Sequence, residues 1–113
     1  GGLDGFLYAL IIFVVIDYIT GLMAAIVERK LSSEIGFRGI FKKVLIFLLV
    51  AVGNIIDSNL IGTGSGVRTA VIFFYISNEG ISIIENSVTI GLPVPQKLKN
   101  IMAQLNADGD ENK

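Results

Sequence analysis

Apolar residues in this chain fall into three long runs separated by short polar breaks. A fourth segment follows in which apolar and polar positions alternate at helical spacing. The first run, residues 6–27, is interrupted only by Asp17, Thr20 and Gly21. At about 1.5 Å per residue, a helix of that length extends roughly 33 Å, enough to cross a hydrocarbon core of about 30 Å. It lacks a basic leader and is too long for a cleaved signal, so it reads as a permanent span. The second apolar run, 44–56, is too short to cross alone. It predicts a helix over about 39–61, reaching back through Lys42 and Lys43, whose stems can snorkel, and forward past Asn54 and Asp57. Ser32, Ser33 and Glu34 offer capping chemistry for a helix entering this run, while Gly36 and Gly39 weaken its first turns.

Gly62-Thr63-Gly64-Ser65-Gly66 is a breaker. The third helix is expected over about 67–86. It carries nine Val, Ile or Phe residues between 67 and 84, each contributing about -0.5 kcal/mol to insertion, against about +3 for a central acid such as Glu79 and further costs for Asn78 and the smaller polar groups. The sum is near zero, so this helix needs neighbours to cover its polar side. Gly91, Pro93 and Pro95 stop it. Val94, Leu98, Ile101, Met102 and Leu105 then share one face of a short amphipathic helix, about 94–105, too short to span. A flexible acidic tail is expected over 106–113. The fold class that follows is an all-α membrane protein, one domain over 1–113, with three transmembrane helices and an amphipathic fourth.

Composition narrows the chemistry. Hydrophobic residues make up 52% of the 113 and charged residues 17%, more apolar surface than a soluble domain of this size can hide. Cys and His are both absent, which removes disulfides, thiolate or imidazole metal sites and His-based triads. No cofactor and no enzymatic activity is expected. A net charge of -1 gives no electrostatic case for nucleic acid. Basic residues also set an orientation. Arg29, Lys30, Arg38, Lys42 and Lys43 surround the first connection, whereas 62–66 has none. The positive-inside rule places the first connection and the C-terminus in the cytoplasm and the N-terminus outside.

The polar residues within the spans form stripes. Asp17, Gly21, Ala24 and Glu28 share one face of the first helix, and Lys43, Phe47, Val50, Asn54 and Asp57 one face of the second. Arg68, Ile72, Tyr75, Glu79, Ser82 and Asn86 share a face of the third, flanked by Asn78 and Glu85. Taken singly, each is most simply packing glue: an acid paired with Arg68 or a Lys, with Gly21, Ala24 and Ala25 letting backbones approach. Taken together, they exceed what one three-helix monomer is expected to satisfy, which points to a homo-oligomer whose stripes pair when closed and line a wet wall when open.

The order of residues adds a resemblance. Asp17-Tyr18-Ile19-Thr20-Gly21, Ala24-Ala25, Leu31-Ser32-Ser33, Gly36, Gly39 and Lys42-Lys43, followed by Glu79, Ser82-Ile83, Glu85-Asn86, Gly91, Pro93 and Pro95, resemble a bacteriophage holin family linked to phage lysis and toxin secretion in Gram-positive bacteria. The likeness runs from about residue 17 to 105. It implies a three-span protein of the host cytoplasmic membrane that homo-oligomerises into a lesion through which a cell-wall hydrolase or large toxin crosses. Two other classes remain open: a small channel or transporter subunit with Asp17, Asp57 or Glu79 as its proton or ion site, and a membrane scaffold docking through its amphipathic helix. A carrier would confine its charges to one compact site, whereas these are spread along three helices.

Overall fold

The computed structural model describes residues 4–111. Four helices follow one another: α1 Gly5–Val27, α2 Ser33–Ile55, α3 Gly66–Ile90 and α4 Gln96–Glu111. A π-helical turn, Ile56–Ile61, extends α2. Three helices, Gly5–Val27, Ser33–Ile61 and Gly66–Ile90, are long and apolar enough to cross a membrane.

Local chemistry sets each boundary. Asp4 caps α1, its carboxylate accepting from Leu7 N at 2.9 Å. At the other end Arg29 turns left-handed (φ 58°) and Lys30 N bonds back to Ala25 O at 2.8 Å, which closes the helix. α2 starts at Ser33, well before the expected residue 39, because Ser32 Oγ accepts from Ile35 N at 3.2 Å and Glu34 pairs with Arg38 one turn on at 2.9 Å. Gly36 and Gly39 do not break it. They form a slot for Tyr18 of α1, whose phenol donates to Gly36 O at 3.2 Å and whose ring would sit 3.1 Å from a Cβ at Gly39. α3 runs to Ile90, four residues past expectation, since nothing in Asn86–Ser87–Val88 stops a helix. Gly91 stops it in a left-handed conformation (φ 107°), with Gly91 N and Leu92 N both bonding Ser87 O. α4 begins after Pro95, two residues late, and continues to Glu111 through most of the segment expected to be a flexible tail; residues 112 and 113 of that tail lie outside the described residues.

α3 is the centre of the bundle. α1 runs parallel to it, joined by Asp4–Arg68 at one end and Asp17–Asn86 further along. α2 runs antiparallel to both, its Gly36 beside Tyr18, its Lys43 beside Glu79 and its Gly53 against the Arg68 backbone. α4 folds back along α3. Leu10 and Val14, Ile46 and Val50, and Ile72 and Ile76 form the apolar core among the three spans. Leu7, Phe13 and Phe47 pack against that core, while many other apolar side chains of α1 and α2, such as Ile11, Val15, Leu45 and Val52, are exposed, as a lipid-solvated surface allows. The least apolar span, α3, is thus the one shielded by all three of the others.

Candidate intramembrane polar site

The site is built where the three spans converge at mid-length. α1 supplies Asp17, which is 7% exposed, and α3 supplies Glu79, which is 5% exposed. Between them α2 places Lys43, whose ammonium donates to Asp17 Oδ2 at 2.5 Å and to both Glu79 oxygens at 3.1 Å. Asn86, two turns beyond Glu79, donates to Asp17 Oδ1 at 3.1 Å and to Thr20 Oγ1 at 3.0 Å. Thr20 returns its own proton to Ile16 O at 2.8 Å. One cation therefore faces two carboxylates, and the cluster ties α1, α2 and α3 together through side chains alone. A cleft of about 580 Å³ opens beside it between α2 and α3, lined by Lys42, Tyr75, Asn78 and Ser82 as well as by the triad.

A second polar cluster sits at the end where α2 turns into α3. Ser65, at the cap of α3, makes no side-chain bond to that helix. Asp57, 2% exposed within the π-helical turn, replaces it: Oδ1 accepts from Val67 N at 3.0 Å and Oδ2 from Arg68 N at 2.9 Å. The Arg68 guanidinium reaches the opposite way to Asp4 Oδ2 at 2.7 Å. Its hydrogen bond, with the Leu7 N–H, holds the exposed Asp4 carboxyl below the usual carboxylate range. Asn54 lies beside Arg68 in a small cavity of about 250 Å³.

The residues expected to form stripes therefore divide between two places. Asp17, Glu79 and Asn86 come together, with Asn78 and Ser82 on the adjoining cleft. Asn54, Asp57 and Arg68 gather at the far end. Glu85 is exposed. Gly21 leaves room beside the Asn86 amide, Ala24 is buried and Ala25 half-buried. Among the basic residues, Arg29, Lys30, Arg38 and Lys42 are exposed. Lys43, expected both as a basic residue of the first connection and on the inward face of the second helix, is half-buried at the centre of the triad. The premise that one chain has too little interior for its polar groups is also corrected. Among the described residues no buried side-chain nitrogen or oxygen lacks a hydrogen-bond partner. Two contributions were not foreseen from the sequence. Asp4 stands three residues before Leu7 at the head of an apolar run, which is a capping signal. Tyr18 was named only within the run that carries the resemblance, and its contact gave no signal, since nothing local says that two glycines on another helix will receive it.

Comparison with known proteins places this architecture. The profile of the bacteriophage holin family matches residues 1–107. An uncharacterised protein of Listeria innocua is 47% identical over 112 residues, covering 98% of this chain and 79% of the relative. An uncharacterised 14.9 kDa protein of Clostridium perfringens is 43% identical over 107 residues, covering 94% and 80%. A protein of Bacillus phage phi105 named a probable holin is 36% identical over 107 residues, covering 94% and 78%. No solved structure matches. Three membrane-length helices closed around a charged centre, and a family match over nearly the whole length, establish that this chain belongs to the bacteriophage holin family.

Proposed function

We propose that the chain acts as a holin: it accumulates in the bacterial cytoplasmic membrane, homo-oligomerises, and opens a lesion through which a cell-wall hydrolase or large toxin crosses. The observation that carries this reading is the Asp17–Lys43–Glu79 triad, which draws one group from each span. Charges at this depth have two tolerable environments, mutual pairing inside the bundle or water. Exposing an unpaired charge to lipid costs about 2.5–3.5 kcal/mol, so intermediate separations of the helices are disfavoured. The bundle is then either shut or wet, as an abrupt hole-former requires. Oligomerisation follows from the size of the hole, because each helix covers only about 10 Å of its circumference. It does not follow from unsatisfied groups in the monomer, since the triad is paired within one chain.

Purified protein in liposomes loaded with a small dye and a folded protein of hydrolase size tests the proposal. Both should escape abruptly above a threshold density. Escape of dye or ions alone, in proportion to protein at low density, would favour a small channel in which the triad is an ion site. The orientation belongs to the same proposal, with the N-terminus outside and the α1–α2 connection in the cytoplasm. With no native Cys, Leu31→Cys and Thr63→Cys can each be labelled in intact cells by an impermeant thiol reagent before lysis. Thr63→Cys should label and Leu31→Cys should not; the reverse pattern inverts the orientation.

A further inference from the structure

α4 and α3 make incompatible demands on a bilayer. Met102 of α4 packs against Gly80, and a Cβ at Gly80 would overlap Met102 Sδ while also meeting Phe13 of α1 at 3.3 Å. Gly80 is buried ten residues before the end of α3, about 15 Å along a helix. With α3 spanning the membrane, docked α4 is drawn well below the surface, beside lipid. Gln96, Lys97, Asn100 and Gln104 are exposed in that arrangement. A lipid-facing helix that exposes such polar residues is costly, because lipid offers their donors and acceptors no partner. Meanwhile Leu98 and Ile101 of α4 stay exposed while docked, although they belong to the amphipathic face that a membrane surface would accept.

We propose that α4 is a displaceable cover on α3. It is docked in the state described here and released to the membrane surface when α3 takes up its full span. Its departure bares the Gly80 face, where the missing side chain lets the helix of a second copy of this chain approach as closely as Met102 does now. The role of that second copy rests on the holin reading above; the docking and release of α4 do not.

Gly80→Cys with Met102→Cys tests both parts. The Cβ built at Gly80 lies 3.4 Å from Met102 Cγ, which places the two positions within reach of a disulfide. The chain has no other cysteine to confuse the result. The protein is oxidised in detergent, reconstituted into liposomes and examined by gel for the bond, by chemical cross-linking for oligomers, and for dye release. The oxidised protein should stay monomeric and release no dye; reduction in place should restore both oligomers and release. Met102→Ala, which loosens the dock without any cross-link, should lower the threshold density for release. If the oxidised protein assembles and leaks like the reduced one, α4 is no cover and the proposal fails. If the bond forms in detergent and α4 in the reduced liposomes remains shielded from added protease, α4 does not leave and the proposal again fails. Should reduced protein expose α4 to protease and oligomerise but pass no folded cargo, the holin reading fails while the cover stands.

Discussion

The two polar clusters hold this bundle by different means. At the α2–α3 turn, Asp57 satisfies backbone N–H groups at the start of a helix, and its partners stay where the turn puts them. At mid-span, Lys43, Asp17 and Glu79 satisfy one another across three separate helices, with one more carboxylate than cation. The first is a fastener of local geometry that water competes for poorly, because the turn itself would have to open. The second is an attraction between separable bodies, and water can replace every one of its bonds. Stability should therefore depend on the turn cluster through folding, and on the triad through the choice between closed and open.

Removing the cation from the triad should have the largest effect. Lys43→Met leaves two carboxylates buried and unpaired, a loss of about 3–5 kcal/mol when one partner of a buried pair is deleted. The variant is expected to accumulate poorly or open early, measured by protein level and by time to lysis on induction. Adding Asp17→Asn and Glu79→Gln to Lys43→Met should restore accumulation, because no charge then remains unpaired. Failure of that rescue would show that the triad contributes shape rather than charge. Glu79→Gln alone leaves Lys43 balanced against Asp17, so levels should hold while lysis time shifts.

Next in size are changes at the turn. Gly53 lies where a Cβ would sit 3.1 Å from Arg68 Cα and 3.2 Å from Arg68 N, backbone atoms that cannot swing aside. Gly53→Ala should cost about 1–3 kcal/mol of overpacking. Asp57→Ala strips the cap from α3 and should cost roughly 0.5–2 kcal/mol. Both should lower the thermal midpoint in detergent. Neither should change the timing of lysis at matched protein level, and a timing shift as large as that of Glu79→Gln would erase the distinction between the clusters.

The spans were legible because their signal is local: run length and the Gly-rich and Pro-rich breaks gave three crossings and a fourth helix. The faces were legible too, since helical spacing put Asp17, Lys43 and Glu79 on the stripes that turn inward. What spacing does not encode is pairing between helices. Lys43 was placed both among the charges of the first connection and on the inward stripe of the second helix, because Lys42 and Lys43 stand at the edge of an apolar run. The packing of α2, which starts at the Ser32 cap and receives Tyr18 in the slot at Gly36 and Gly39, sets Lys43 at the depth of Asp17. The course of α4 was hidden for the same reason. An amphipathic face fits a membrane surface or a neighbouring helix equally well, and the recess that selects α3 is the absence of a side chain at Gly80.

The smallest expected effect concerns Asp4, which extends the turn cluster to the start of α1. Arg68 and the Leu7 N–H favour its ionised form, so its folded value lies below the ordinary 3.8. A depressed carboxylate contributes stability that is fully present above its unfolded value and is lost as pH falls through the folded one. The contribution is therefore intact at neutral pH and fades only below about pH 4. Since the carboxylate is exposed, solvent and salt screen it, and the loss should be slight. Asp4→Asn should flatten that part of the acid limb when thermal midpoint is followed against pH in detergent at low salt. At neutral pH the same variant still caps α1, because Asn accepts from Leu7 N nearly as well as Asp, so only the bond to Arg68 weakens. A wild-type acid limb unchanged by Asp4→Asn would mean that Arg68 is held in place without Asp4, so that the Asp57 cap, not the Asp4 bond, fastens the start of α3.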